Sequence, residues 1–244
     1  SSCIRKIVVA TGEVTTLAGS RSPSGSADGV GTAAQFEYPQ GVAADTYGNL
    51  FVADTGNHAI RRIVVASQSV TTIAGSAPAS GSADGVGSAA RFDYPGGVAA
   101  DGAGHLYVSD MGNDTIRKIV LATRSVTTLA GKAGYDGTED GIGSAARFWA
   151  PAGMAVDGAG NLYVAERGNH TIRKIVLATG QVTTLAGRGE SYGSVDGIGA
   201  AARFAEPSAV SEDGAGNLYV ADTYNNAIRK VVLATGQVTT LAGK

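Results

Sequence analysis

Short apolar runs, several of them alternating with polar residues and all bounded by turn residues, recur along this chain. Within residues 97–131, the small apolar run 97–100 is followed by the alternating run 105–109. A β-branched run at 115–121 and a further run at 125–130 complete the set. Glycine, aspartate, asparagine, alanine and threonine occupy the short gaps, which suits tight hairpin turns. The pattern therefore predicts four short β-strands joined as an antiparallel meander.

The whole pattern recurs every 56 residues with no insertion or deletion. The motif Ile-Arg-Lys-Ile, or a close variant, begins at residues 4, 60, 116, 172 and 228. Loops normally vary in length, so either the duplications are recent or the loops are themselves packed. A link of about twenty residues follows each meander, and long repeats of this kind mark propellers, solenoids and arrays. A 56-residue unit with four hairpin-linked strands is too long for one solenoid coil. We therefore predict an all-β fold, a β-propeller of four-stranded antiparallel blades.

One segment of each copy resembles a known repeat. The string Gly-Asn-Leu-Tyr-Val-Ala-Glu-Arg-Gly-Asn-His-Thr-Ile-Arg-Lys-Ile at 160–175 resembles the NHL repeat, and a similar string occupies 48–63. The Asn-His pair that partly names the family stands at 57–58 and 169–170. The resemblance covers nearly the whole chain, and it implies a propeller of the kind that usually closes with six blades.

The repeat divides the chain into a single array of four full NHL-type blades and an N-terminal half-blade. The full blades are expected at about 41–75, 97–131, 153–187 and 208–243. The half-blade, residues 1–20, matches residues 225–244 and supplies a third and a fourth strand only. Three explanations stand open: the chain is a stretch of a longer array, a neighbouring chain completes the half-blade in a homo-oligomer or fibre, or the half-blade caps the array. We favour the first two.

Composition narrows the classes of partner. The chain carries 19 basic and 21 acidic residues, for a net charge of −2. Some NHL domains bind RNA, and the five Arg/Lys pairs of the repeat could form a basic face, but acids balance them, so no nucleic acid is expected. No apolar run is long enough for a membrane helix, so no membrane insertion is expected either.

Four acidic residues end the predicted inner strands. They are Asp45, Asp101, Asp157 and Asp213. A ring of these carboxylates could hold a cation, but each opens an Asp-x-x-Gly turn in which its side chain caps backbone N–H groups. Repetition in every blade favours the structural reading, because a catalytic group breaks symmetry. The acids at the next turn are interpreted in the same way: Asp54, Asp110, Glu166 and Asp222.

Other candidate residues are few. Asp136, Glu139 and Asp140 form the one loop with three closely spaced carboxylates, a sparse set for calcium. The three histidines are interpreted as surface turn residues, too scattered for a zinc site, and no cofactor is expected. Trp149, the single tryptophan, is a candidate binding aromatic, because the other blades have Glu, Asp or Ala there.

Two sequons begin at Asn113 and Asn169, at a turn predicted to be exposed. They are candidate glycosylation sites and favour an extracellular or secreted protein.

The predicted inner strands carry small apolar residues such as Val42-Ala43-Ala44. These offer no nucleophile, general base or metal ligand. We therefore expect a non-catalytic binding or scaffold module that contacts a protein or a glycan, or that assembles with itself. The alternative is part of a propeller enzyme of the hydrolase or lyase type, because the resemblance extends to propellers that include lactonases and an amidating lyase. An RNA-binding NHL domain is the third alternative.

Overall fold

The structure is a computed structural model that describes residues 2–243. Among these residues it contains β-strands, turns and single-turn 3-10 segments, and no α-helix. None of its helical segments is long and apolar enough to cross a membrane. The chain divides into two compact units, one of residues 2–108 and 119–127 and the other of residues 109–118 and 128–243.

The first unit begins with the half-blade, in which β1 (Cys3–Val8) and β2 (Glu13–Gly19) pair antiparallel. Blade 1 follows. Its strands are β3 (Gly29–Val30), β4 (Pro39–Ala44), β5 (Asn49–Asp54), β6 (Ala59–Val64) and β7 (Ser69–Gly75). The sheet order is β3-β7-β6-β5-β4, so four strands form a meander from the inner edge outward and the two-residue β3 adds to the outer strand.

Blade 2 is the sheet in which the boundary between the two units falls. Its strands are β8 (Gly85–Val86), β9 (Pro95–Ala100), β10 (His105–Asp110), β11 (Thr115–Val120) and β12 (Ser125–Gly131). They lie in the order β8-β12-β11-β10-β9.

The second unit contains blades 3 and 4. Blade 3 consists of β13 (Gly141–Ile142), β14 (Pro151–Val156), β15 (Asn161–Glu166), β16 (Thr171–Val176) and β17 (Gln181–Gly187). Blade 4 consists of β18 (Gly197–Ile198), β19 (Pro207–Glu212), β20 (Asn217–Asp222), β21 (Ala227–Val232) and β22 (Gln237–Gly243). Both sheets repeat the strand order of blade 1.

Single 3-10 turns lie in the links and after the second long strand of most blades. They are Gly31–Ala33, Thr55–Asn57, Gly87–Ala89, Met111–Asn113, Gly143–Ala145, Gly199–Ala201 and Thr223–Asn225.

The all-β, four-stranded blades predicted from the repeat are confirmed, with one addition. Each long link contributes a short fifth strand that pairs with the outer strand of the blade that follows it, as Val30 does opposite Ser69. Each inner strand also begins at its proline, before the Gly-Val-Ala run. The links are therefore packed parts of the blades, which gives a physical reason for their constant length.

A phenylalanine from each link is buried between successive sheets of a unit. In the second unit Phe204 is fully buried and contacts Gly187, where φ is +88° and an added Cβ would lie 3.1 Å from the ring. Its ring also faces the guanidinium of Arg229 at 5.2 Å. Alternating strand residues complete the core, and Tyr163 and Val231 belong to the same buried cluster as Phe204. The link thus joins neighbouring blades through one aromatic side chain.

Candidate ligand-binding site

A buried arginine lies at the centre of each complete blade. Arg61 is 0% exposed, and its Nη1 donates hydrogen bonds to Asp54 Oδ2 at 2.6 Å and to the Gln35 carbonyl at 2.9 Å. Nη2 donates to Asp28 Oδ1 at 2.8 Å and to the Ala27 carbonyl at 3.0 Å. One side chain therefore ties a strand end to two points of the preceding link.

The same ion pair recurs in the other blades. The pairs are Arg117–Asp110 at 2.6 Å, Arg173–Glu166 at 2.9 Å and Arg229–Asp222 at 2.7 Å. The equivalent Arg5 of the half-blade is exposed, and its Nε donates a 3.3 Å hydrogen bond to the Thr15 carbonyl. The repeated arginines form a structural frame, because a buried charge is tolerated only when it is paired and hydrogen-bonded.

The acidic partners of these arginines differ from the turn residues expected from sequence. Arg61 lies opposite Val52 in the sheet, so Asp54 is its diagonal neighbour on the same face. Burial raises the pKa of Asp54, although hydrogen bonds from the Glu37 N–H, Asn57 and Arg61 oppose the shift. The carboxylate is thus a buried partner of the arginine, and the backbone N–H that it accepts belongs to Glu37 of the preceding link.

The acids that end the inner strands form the turns that follow. The Oδ1 atoms of Asp45, Asp101, Asp157 and Asp213 each accept a hydrogen bond from the backbone N–H four residues on, at 2.8–3.0 Å. Hydrogen bonds from the Asn217 side chain and the Ala215 N–H lower the pKa of Asp213 to about 2. In blade 2, His105 Nδ1 lies 2.7 Å from Asp101 Oδ2, where the other blades have an asparagine amide.

The acidic loop 136–140 joins the arginine frame. Asp140 Oδ1 accepts hydrogen bonds from Arg173 Nη2 at 2.8 Å and from Thr184 Oγ1 at 3.0 Å. Asp136 and Glu139 are exposed. Within residues 2–243, no group of three or more His, Cys, Asp or Glu side chains is arranged to hold a metal ion.

Both sequon asparagines are buried. Asn169 is 1% exposed, and its Nδ2 donates to Glu166 Oε1 at 2.5 Å and to the Gly137 carbonyl at 2.6 Å. Asn113 Nδ2 donates to Asp110 Oδ2 at 2.9 Å. An N-linked glycan is attached through this nitrogen and would displace these bonds. The geometry therefore disfavours Asn113 and Asn169 as glycan acceptors and corrects the expectation that they lie at an exposed turn.

Two of the three histidines connect a turn of one blade to the link that leads to the next blade. His170 Nδ1 accepts the Glu206 N–H at 3.0 Å, and the buried His58 accepts the Tyr94 N–H at 3.1 Å in the same way. The Nδ1 lone pair is therefore occupied and the proton lies on Nε2 in the neutral ring. These residues are bridges between segments, where the sequence suggested surface turns.

The repeat changes its chemistry at a pocket in the second unit. It has a volume of about 480 Å³. Its lining residues are Met111, Trp149, Ala150, Arg167, Gly168, His170 and Glu206. Arg167 Nη2 donates to Glu206 Oε2 at 2.7 Å, and both side chains are partly exposed. At the positions of Trp149, Arg167 and Glu206 the other three blades have neither a tryptophan nor an ion pair.

The backbone around Trp149 is held in place on both sides. The Trp149 N–H donates to Glu166 Oε1 at 2.7 Å, and its carbonyl accepts the Gly168 N–H at 3.1 Å. The indole lies against Gly168, where an added Cβ would be 2.3 Å from the ring. Trp149 remains 47% exposed. One face of the indole is thus packed on backbone while part of the side chain is open to solvent.

Blade 4 fills the equivalent place in the opposite way. Tyr224 stands where blade 3 has Gly168, and Ala205 stands where it has Trp149. In blade 3 the large residue lies in the link and the small one in the turn, and in blade 4 this arrangement is reversed. The Tyr224 side chain is exposed. The aromatic group is therefore retained in both blades but is presented from different segments.

Sequence reasoning found Trp149 but missed Arg167 and Glu206. These two lie 39 residues apart, and each looks like an ordinary surface charge in isolation. The available signal was their departure from the repeat: the positions equivalent to Arg167 are Thr or Met, and those equivalent to Glu206 are Tyr or Ala.

Comparison with known proteins identifies the repeat. The NHL repeat family model matches residues 36–63 and 148–175. NHL repeat-containing protein 2 of Bos taurus is 30% identical over 268 residues, which cover 97% of this chain and 36% of that protein. The chain thus spans about a third of the length of this curated relative.

Solved structures share the fold at low sequence identity. An auxiliary nutrient binding protein from Bacteroides ovatus matches with a TM-score of 0.68 at 18% identity, over 99% of this chain and 59% of that one. Virginiamycin B lyase from Staphylococcus aureus matches with a TM-score of 0.62 at 14% identity, over 98% of this chain and 62% of that one. The repeat in the sequence, the blades and these matches agree: the chain belongs to the NHL-repeat family of β-propellers.

Proposed function

We propose that this chain is a non-catalytic binding module that presents one ligand pocket on a rigid NHL-repeat frame, its partner being a protein or a glycan. The observation that carries the proposal is the clustering of unrepeated residues. Trp149, Arg167 and Glu206 depart from the repeat together and line one pocket. The arginine frame and its acidic partners recur in every complete blade, whereas a binding site for one ligand needs different residues at one place.

The chemistry of the pocket supports binding over catalysis. Its lining contains no Ser, Thr, Cys or Lys nucleophile. His170 Nδ1 is occupied by a backbone N–H, and the Glu206 carboxylate is paired with Arg167 at 2.7 Å. Neither group is positioned as a free general base. Proteins with this fold include both a nutrient-binding protein and a lyase, so the fold alone favours neither activity.

The single tryptophan provides a direct test, because its fluorescence reports on this pocket alone. We expect a ligand of this pocket to change the tryptophan emission saturably. NMR should show that the same ligand is recovered chemically unchanged. Trp149→Ala should weaken binding at least tenfold by calorimetry. Conversion of the ligand to product by the wild type, lost in Trp149→Ala, would contradict the binding proposal and support the enzyme alternative.

Self-assembly is a second candidate, and the exposed face of the half-blade favours it. Ile7 is 62% exposed, whereas its equivalent Ile63 in blade 1 is 0% exposed. Strand β1 pairs with β2 and with no other strand of the described chain, so its other edge can accept a strand from a second copy. Light scattering tests this: a defined multiple of 24.4 kDa supports assembly, and a 24.4 kDa particle contradicts it.

A further inference from the structure

The exposed indole of Trp149 is a preorganised stacking surface. Hydrogen bonds fix its backbone at both the N–H and the carbonyl, and Gly168 supports one side of the ring. A ligand that stacks on it need not order a mobile side chain first, and this lowers the entropic cost of binding. A flat aromatic surface favours a ligand with a flat or gently curved apolar face.

The polar edge of the pocket pairs donors with acceptors. The Arg167–Glu206 ion pair uses one guanidinium nitrogen and one carboxylate oxygen at 2.7 Å. Arginine has five N–H donors and an ionised carboxylate accepts at two oxygens, so both groups retain hydrogen-bonding capacity. With its Nδ1 accepting the Glu206 N–H, neutral His170 has its proton on Nε2. The site therefore offers neighbouring charge-assisted donors and acceptors, which suit vicinal hydroxyl groups.

The charge of the pocket argues against ionic ligands. Arg167 and Glu206 neutralise each other, so a phosphate, sulfate or carboxylate gains no net attraction and must compete with Glu206 for the guanidinium. A purely apolar ligand would cover the ion pair without replacing its contacts with water, which costs free energy. A neutral ligand with an apolar face and a hydroxylated edge avoids both penalties.

We infer that this pocket binds a neutral saccharide, with a pyranose ring stacked on Trp149 and its hydroxyls hydrogen-bonded to Arg167 and Glu206. The inference rests on the proposed binding function and names its ligand class. The volume of about 480 Å³ lies within the ordinary range of small-ligand pockets, about 300–1,000 Å³.

The test uses the full chain and a panel of probes: oligomers of glucose, galactose, mannose and N-acetylglucosamine, with heparin fragments as charged glycans and a set of peptides as the competing class. We expect at least one neutral oligosaccharide to change the Trp149 emission saturably. By calorimetry, Trp149→Ala and Arg167→Ala should each weaken its binding at least tenfold. Tyr224→Ala, which removes the exposed aromatic of the equivalent turn in blade 4, should leave the affinity within twofold.

The other outcomes separate the inference from the proposed function. If peptides alone change the emission and Trp149→Ala abolishes their binding, the saccharide inference is overturned and the binding function stands. If a saccharide binds equally well to Trp149→Ala, this pocket is not the saccharide site. If no probe in the panel changes the emission, the saccharide inference fails. Binding followed by cleavage of the saccharide would overturn the non-catalytic function while retaining the ligand class.

Discussion

Replacing Arg61 with methionine tests whether the buried arginine is what holds link and blade together. Methionine keeps much of the side-chain length, but it removes donors from two carboxylates and two backbone carbonyls. Asp54 keeps its hydrogen bonds from the Glu37 N–H and from Asn57. Removing one partner of a buried ion pair costs about 3–5 kcal/mol, and we expect a loss of unfolding free energy in this range.

The half-blade supplies the matched control. Arg5 occupies the same repeat position but is exposed, so Arg5→Met should change the unfolding free energy by about 0.5 kcal/mol or less. Arg61→Lys keeps the charge but not the forked geometry that reaches Asp54 and Asp28 together, and it should fall between the two.

Urea unfolding followed by far-ultraviolet circular dichroism measures all three variants against the wild type. The comparison requires that the unfolding free energy depends on urea concentration with the same slope in every variant. The reasoning would be refuted if Arg61→Met and Arg5→Met differed by less than about 1 kcal/mol. If Arg61→Met does not fold, Arg61→Lys still tests the prediction, since an unaltered stability would contradict the role of the forked hydrogen bonds.

Three further predictions follow from single positions. Gly168→Ala places a methyl group 2.3 Å from the indole of Trp149 and should shift the tryptophan emission toward that of exposed tryptophan. Gly158→Ala adds its methyl group in open space and should leave the emission unchanged. Equal emission spectra for the two variants would contradict the packing of the indole on Gly168. Phe204→Ala should lower the unfolding free energy by about 3–5 kcal/mol in urea, because the ring is fully buried; a loss below 1 kcal/mol would show that the link does not depend on it. The pKa of Asp213 is lowered from 3.8 to about 2, so its ionised form stabilises the fold above pH 3.8 and this contribution is lost as the pH falls toward 2. The midpoint temperature of thermal unfolding should fall less steeply with decreasing pH in Asp213→Asn than in the wild type. Identical slopes would refute the assignment.

The amino-acid sequence by itself determined the repeat and the blade. Alternation of side chains along a strand and turn residues between strands are local properties, and a 56-residue period multiplies that local signal through the chain. The four long strands of each blade could therefore be placed nearly at their observed bounds. The fifth strand was missed because Gly29–Val30 is a two-residue segment with no periodicity of its own, and only pairing with β7 makes it a strand.

The tertiary structure decided which polar residues are buried and which meet. Asp54 and Asn169 have the composition of turn residues, yet both are buried because an arginine or a neighbouring carboxylate lies beside them. Arg167 and Glu206 come together because the link that precedes blade 4 lies against a turn of blade 3. A residue's position along the chain fixes its backbone conformation and the face of the strand that it occupies. Its partner comes from another part of the chain, and burial and charge pairing at that distance depend on packing that no local pattern encodes.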